Sequence, residues 1–122
     1  MVVILFELKK RPEAEVPEYR AMLARMEEIV TAMPGYISSE DFISEDGTRD
    51  LSIVRFESLE ALEAWRTNPE HLEAQRLARE RYFESYHIQV LATVREYAFQ
   101  RGEGRKALYP TRDGDTIELQ TA

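Results

Sequence analysis

The sequence contains no cysteine, one tryptophan and two histidines among its 122 residues. Without cysteine the chain cannot form a disulfide, use a thiolate nucleophile or bind a metal through sulfur, and such a composition is typical of the reducing cytoplasm. A run of about 18 apolar residues, the minimum for a membrane-spanning helix, is also missing. Glu7 interrupts the apolar N-terminus and basic residues follow it, so we predict no signal peptide and no membrane partner.

Positive charge is scarce as well. Sixteen Lys and Arg stand against 23 Asp and Glu, which gives a net charge of −7 without any basic block. Such a surface does not attract nucleic acid, so we predict no nucleic-acid partner. With 43% hydrophobic and 10% aromatic residues, a chain of this length has enough apolar surface for one core.

Hydrophobic periodicity predicts an α+β fold with the ferredoxin-like order β-α-β-β-α-β and an antiparallel sheet. The predicted strands are residues 2–9, 36–44, 51–56 and 87–99. The first helix is predicted to begin at Pro17 and to end before Pro34-Gly35. The second is predicted from Ser58 to about Ser85, with a break at Asn68-Pro69 where Asn68 or Thr67 caps the new helical piece.

The last predicted strand is apolar at both even and odd positions, so both faces of the sheet are apolar there. The two helices cover one face, and the other needs a partner, which predicts a homodimer. We place the domain at residues 1–99 and a C-terminal extension at residues 100–122. In that extension, 107–109 and 116–119 are predicted to pair as a small hairpin on the domain or on the dimer partner, with a frayed tail as the alternative.

The sequence carries no phosphate-binding loop, nucleophile elbow or zinc motif, and we predict no metal site. Its candidate site is a set of aromatic side chains with a few polar groups, which is typical of a pocket for a planar ligand and equally of an ordinary core edge. The aromatic members are Trp65, Tyr82, Phe83, Tyr86, Tyr36 and Phe42, and the polar ones are His71, Gln75 and Arg79 or Arg81. Glu7, inside a buried strand, is either an edge residue or a pocket base with a raised pKa.

Several segments in this order resemble the antibiotic biosynthesis monooxygenase (ABM) domain. They are Pro34-Gly35-Tyr36, Arg55-Phe56-Glu57-Ser58, Glu60 to Arg66, Asn68-Pro69-Glu70-His71, Ala74-Gln75 and Val94-Arg95-Glu96-Tyr97. The resemblance covers about residues 1–99. It implies a dimeric α+β barrel in which the second sheet face of each subunit packs on the other.

The resemblance also implies a function. Members of the family include monooxygenases that oxidise quinols or polycyclic phenols with molecular oxygen and without metal or flavin, because an electron-rich phenolate passes an electron to oxygen by itself. The protein then has to bind, deprotonate and desolvate the substrate. On this hypothesis His71, Glu7 or Tyr86 accepts the proton or orients the substrate. The substrate-binding candidates are Trp65, Phe83, Gln75, Arg81, Tyr36 and Phe42.

Two alternatives stay open. One is a dimer that binds a small hydrophobic ligand, or regulates, without catalysis. The other is the haem-binding and haem-degrading branch of the family, which has a Trp at the position resembling Trp65. In that branch the iron-ligating His falls where this chain has Gln75, and an Asn falls near Glu7, so we carry over no haem ligation and predict no cofactor.

Overall fold

The computed structural model describes residues 1–109. Residues 1–91 form one compact unit, and a second unit begins at Ala92. The strands are β1 (Val2–Lys10), β2 (Tyr36–Ile43), β3 (Asp50–Phe56), β4 (Phe83–Ala92), β5 (Glu96–Gln100) and β6 (Gly104–Tyr109). The helices are α1 (Pro17–Thr31), α2 (Leu59–Arg66) and α3 (Pro69–Leu77), and α3 continues into a π-helical turn, Ala78–Tyr82.

The first unit is built on a four-stranded sheet in the order β2-β3-β1-β4. β3 pairs antiparallel with both β1 and β2, and its register sets Ile4 opposite Val54 and Glu7 opposite Leu51. The predicted α+β ferredoxin-like fold with an antiparallel sheet is confirmed. None of the helices within residues 1–109 has the length and apolarity to cross a membrane.

The helices cover one face of this sheet. Even-numbered β1 residues face them, because Ile4 shares a buried cluster with Val30 of α1 and with Leu62 and Trp65 of α2. Phe56, at the end of β3, is completely buried in the same cluster. A second cluster, with Tyr19 and Tyr82 among its members, lies where α1 meets the π-helical turn.

The interruption between α2 and α3 is confirmed, and the structure decides which residue caps α3. The Asn68 side chain accepts hydrogen bonds from the backbone N–H groups of Glu70 and His71. Thr67 instead donates its hydroxyl to the Glu63 carbonyl and ends α2, so it forms no capping box with Glu70. Ser58 caps α2 as predicted, by accepting from the Ala61 N–H.

The last predicted strand is wrong in extent. Residues 87–99 are not continuous, because β4 ends at Ala92 and β5 begins at Glu96 and turns back to pair with β6. The turn uses Gly102 and Gly104, both at positive φ, which glycine adopts without strain. Residues 107–109 therefore pair with β5. Their predicted partners, residues 116–119, lie outside the described residues.

The second helix also ends earlier than predicted. Instead of continuing to about Ser85, it closes with a π-helical turn in which the Phe83 N–H donates to the Ala78 carbonyl. The Arg11 N–H donates to the Tyr82 carbonyl at 2.8 Å, and this bond joins the end of the turn to the segment that follows β1. Phe83 then begins β4, and aromatic residues are common in strands.

The β2–β3 connection is held by Asp46. Its Oδ1 atom accepts hydrogen bonds from the hydroxyls of Ser44 and Thr48, each at 2.7 Å, and from the Thr48 N–H. Gly47 takes the positive φ of 73° that the turn requires. The hydrogen bond from Ser44 and those from Thr48 lower the pKa of Asp46 to about 2.

This lowered pKa predicts a specific acid sensitivity. Because the usual pKa is 3.8, the ionised Asp46 stabilises the fold above about pH 4, and this contribution is lost as the pH falls through about 2. We expect the free energy of unfolding to fall less steeply between these pH values in Asp46→Asn than in the natural chain. Urea titrations at each pH measure it, and parallel curves for the two chains would contradict the role of Asp46.

Candidate functional site

The imidazole of His71 stacks on the indole of Trp65. The two ring centroids are 3.8 Å apart and the planes are inclined by only 11°. The break between α2 and α3 produces this contact, because the cap at Asn68 sets His71 in the first turn of α3, beside the last turn of α2. Trp65 itself is 8% exposed and belongs to the core, whereas His71 is half-buried.

Hydrogen bonding fixes the tautomer of His71. Its Nδ1 atom lies 3.0 Å from the Trp65 carbonyl oxygen, and since that oxygen only accepts, Nδ1 carries the proton and donates. Burial lowers the pKa of His71, and the hydrogen bond to the Trp65 carbonyl offsets part of that shift. The imidazole is therefore neutral near pH 7, with a free electron pair on Nε2.

Gln75 lies one helical turn after His71 and faces this electron pair. Its Nε2 atom is 3.4 Å from His71 Nε2, which is a long hydrogen bond with the amide as donor. Two polar groups thus meet at the edge of the stack, one that accepts a proton and one that donates a hydrogen bond. Together they are suited to take a proton from a hydroxyl group and to stabilise the resulting oxyanion.

Of the remaining candidates, Tyr36 lies in the same region. It packs against the core cluster that contains Trp65, at 6.0 Å from the ring of Phe56. Its hydroxyl is 2.7 Å from the Ser39 hydroxyl.

Phe83 and Tyr86 do not join Trp65. Phe83 packs on the second cluster, and its ring and that of Tyr86 lie 5.9 and 5.8 Å from the ring of Phe6. Arg81 is exposed on the π-helical turn. Sequence analysis missed Phe6, although the alternation of Ile4, Phe6 and Leu8 along β1 is a signal that Phe6 faces the helices.

Glu7 and Phe42 lie on the sheet face that the helices leave uncovered. Leu51 of β3 pairs with Glu7 of β1 on one side and with Phe42 of β2 on the other. Both side chains line a groove of about 220 Å³ at the turn end of the β2–β3 hairpin. The Glu7 carboxylate is exposed and lies 4.0 Å from His87 Nδ1. The structure therefore separates Glu7 from His71, and His87 is a neighbour of Glu7 that sequence analysis missed.

A larger groove, of about 350 Å³, runs between α1 and α3. Met22, Met26 and Leu77 give it an apolar floor. At its rim the Arg25 guanidinium makes a two-pronged ion pair with Glu70, at 2.8 and 2.9 Å. Neither this groove nor the smaller one is lined by Trp65 or His71. Within residues 1–109, no group of three His, Asp or Glu side chains is placed to hold a metal ion.

The chain matches the model of the antibiotic biosynthesis monooxygenase family over residues 1–77, and it belongs to that family. A curated relative, the uncharacterised protein YqjZ of Bacillus subtilis, is 29% identical over 82 residues, which are 67% of this chain and 71% of YqjZ. The resemblance seen in the sequence is thereby confirmed.

Solved structures share the fold. Rv0793 from Mycobacterium tuberculosis superposes with a TM-score of 0.68 at 27% identity, over 78% of this chain and 96% of Rv0793. SnoaB, a cofactor-independent oxygenase from Streptomyces nogalater, superposes with a TM-score of 0.63 at 13% identity, over 75% of this chain and 91% of SnoaB. At such low identity the likeness to SnoaB establishes a common fold alone.

Proposed function

We propose that the protein is a cofactor-independent monooxygenase that oxidises a small quinol or polycyclic phenol with molecular oxygen. The observation that carries the proposal is the neutral His71, whose Nε2 electron pair is available beside Gln75 while its Nδ1 proton is held by the Trp65 carbonyl. Membership of the monooxygenase family supports it, as does the fold shared with one cofactor-independent oxygenase.

The reaction balances without a cofactor. A phenol with a free para carbon and one O2 give a quinone and one water, because oxidation of the phenol to the quinone releases the four electrons that O2 takes up. The hydroxyl proton moves to His71, the phenolate passes one electron to O2, and the two radicals join in a carbon–oxygen bond. Cleavage of the O–O bond with loss of the ring hydrogen then gives the quinone and hydroxide, and the hydroxide takes the proton back from His71 to form water.

Individual residues have distinct roles in this proposal. His71 Nε2 accepts the hydroxyl proton, and the Gln75 amide turns its N–H to the oxyanion that remains. Tyr36, which is partly exposed, offers a flat wall for an aromatic ring, and Trp65 holds the His71 ring in place by stacking. His71 is a better proton acceptor than Glu7, since Glu7 lies on the other face of the sheet. Phe83, Tyr86 and Arg81 take no part in this proposal, because Phe83 and Tyr86 lie against Phe6 and Arg81 is exposed on the π-helical turn.

We also propose that the protein is a homodimer joined through the uncovered sheet face. Leu5, Leu51 and Ile53 lie on that face without helices above them, and Phe42 is 47% exposed there. A face of this kind is typical of a subunit interface rather than of a free surface. Sedimentation equilibrium is expected to give twice the chain mass of 14.2 kDa.

Oxygen uptake tests the function directly. Purified protein, with a chelator present, is expected to consume dissolved oxygen faster than autoxidation over a panel of naphthoquinols, hydroxyquinols and polycyclic phenols. Trp65→Ala should lose this activity, while Leu72→Ala, an exposed position next to His71, should keep it. Uptake equal to autoxidation over the whole panel would overturn the proposal and favour a dimer that binds a small ligand without catalysis.

A further inference from the structure

The second unit is a β-hairpin with one aromatic face. In its register Phe99 lies opposite Arg105 and Tyr97 lies opposite Ala107, so these four side chains share a face. Phe99 is 60% exposed and Tyr97 is 47% exposed. An isolated two-stranded hairpin is marginally stable in water, and such a face normally gains its stability by packing on something else.

Arginines lie over these rings. The guanidinium carbon of Arg101 is 5.1 Å from the centroid of the Phe99 ring, and that of Arg105 is 4.3 Å from the centroid of the Tyr97 ring. Stacking on a ring orients a guanidinium while its N–H donors stay free for carboxylates. Within residues 92–109, neither arginine is ion-paired with a carboxylate. The aromatic face with its arginines is therefore suited to bind an acidic protein surface.

The hairpin and the first unit carry net charges of opposite sign. Residues 92–109 contain four Lys and Arg against two Asp and Glu, a net +2, whereas residues 1–91 contain 11 against 18, a net −7. A second copy of the first unit is thus a surface of opposite charge that is always present at the concentration of the protein itself. A nucleic acid does not fit, because the negative charge of residues 1–91 repels it.

We propose that the hairpin is an arm that binds the acidic first unit of a second copy of the chain. This inference rests on the homodimer proposed above and adds a second contact to it. Only residues 93–95 separate the arm from β4, where Ile88, Val90 and Leu91 are exposed and apolar. An apolar strand followed by a basic aromatic hairpin gives one continuous segment for the partner.

Charge reversal tests the arm. In Arg101→Glu/Arg105→Glu the dimer dissociation constant is expected to rise by about 10-fold or more, because two arginines that face carboxylates become repulsive. The matched control is Arg95→Glu/Lys106→Glu, which makes the same change in net charge but leaves the aromatic face intact, since Lys106 pairs with Ala98 on the opposite face. We expect less than about a 3-fold change for it. Sedimentation equilibrium at several salt concentrations measures all three chains.

The outcomes separate the two proposals. An equal dissociation constant in the arm variant and the natural chain would overturn the arm and leave the sheet-face dimer intact. Equal weakening by the arm variant and its control would also overturn the arm, because net charge alone would then explain the effect. A monomeric natural chain would overturn both, whatever its oxygen uptake.

A cross-linking experiment locates the arm independently of affinity. Because the chain has no cysteine, Glu103→Cys in the hairpin turn accepts a single photoactivatable label. The labelled protein is mixed with ¹⁵N-enriched natural chain, left to exchange subunits and irradiated. Cross-links from residue 103 to ¹⁵N peptides of residues 1–91 are expected. Cross-links confined to unenriched peptides, or none at all, would overturn the proposal. The hairpin would then pack on the first unit of its own chain or bind another protein.

Discussion

Replacing His71 with glutamine is expected to lower the rate of enzymatic oxygen uptake by about 10²- to 10⁴-fold, the usual contribution of a general base. Glutamine keeps a polar side chain beside Gln75 but has no electron pair basic enough to accept the hydroxyl proton. Stopped-flow oxygen consumption at saturating substrate measures the loss. Gln75→Leu should cost less, because it removes a hydrogen bond to the oxyanion and leaves the proton acceptor in place.

The pH profile distinguishes a base from a packing residue. Since burial lowers the pKa of His71 below its usual 6.5, the natural enzyme is expected to keep its full rate somewhat below pH 6.5 and to lose it only when Nε2 is protonated. In His71→Gln this loss of rate at low pH should be absent, and the remaining rate should depend on pH only through the ionisation of the substrate. A profile unchanged in shape in the variant would argue against His71 as the base.

The same lowered pKa affects stability with a definite sign. Below pH 6.5 the unfolded chain binds a proton at His71 that the folded chain still excludes, so the free energy of unfolding decreases as the pH falls from 6.5 to the lower folded pKa. His71→Gln removes this dependence. Chemical unfolding of both chains over that pH interval checks it and also shows that the variant is folded.

Gly35→Ala is expected to destabilise the fold by about 2–4 kcal/mol. Gly35 has a φ of 83°, which a side chain rarely tolerates, and a Cβ atom there would lie 2.5 Å from the Cβ of Ala61 in α2. The close approach follows from the hydrogen bond that the Glu57 N–H donates to the Gly35 carbonyl at the start of α2. Urea unfolding measures the change.

Gly47→Ala is the matched control. Gly47 has a similar φ of 73°, but nothing lies within 4 Å of its added Cβ, so we expect only the backbone cost of about 1 kcal/mol. In Gly35→Ala/Ala61→Gly the overlap is removed, and part of the lost stability should return despite the lower helix propensity of glycine. Equal losses at positions 35 and 47 would mean that α2 moves aside at little cost.

The sequence predicted those parts of the fold that depend on contacts between residues close in the chain. Ser58 and Asn68 are caps because their side chains reach backbone N–H groups two or three residues ahead, so residues close in the sequence are enough to identify them. The break after Ala92 was missed although most apolar positions from Ile88 to Val94 are even, whereas Tyr97 and Phe99 are odd. This change from even to odd apolar positions indicates that one strand ends and another begins.

The candidate site was less predictable, because it depends on directions in space. Spacing placed His71 near the break, but the angle between α2 and α3, which no local pattern encodes, is what lays its ring on Trp65. For Glu7 the sequence left two alternatives, an edge residue or a pocket base, because its strand is apolar. The register with Leu51 assigns it to the other face, and register depends on which strands pair.

The stack on Trp65 also provides an optical signal. Trp65 is the only tryptophan of the chain, so its indole emission comes from one place, in contact with the imidazole of His71. A protonated imidazole accepts an electron from an excited indole and quenches it, whereas the neutral ring does so poorly. The fluorescence of the unlabelled protein therefore reports, in real time, whether the proposed base is charged and whether a ligand has parted the two rings.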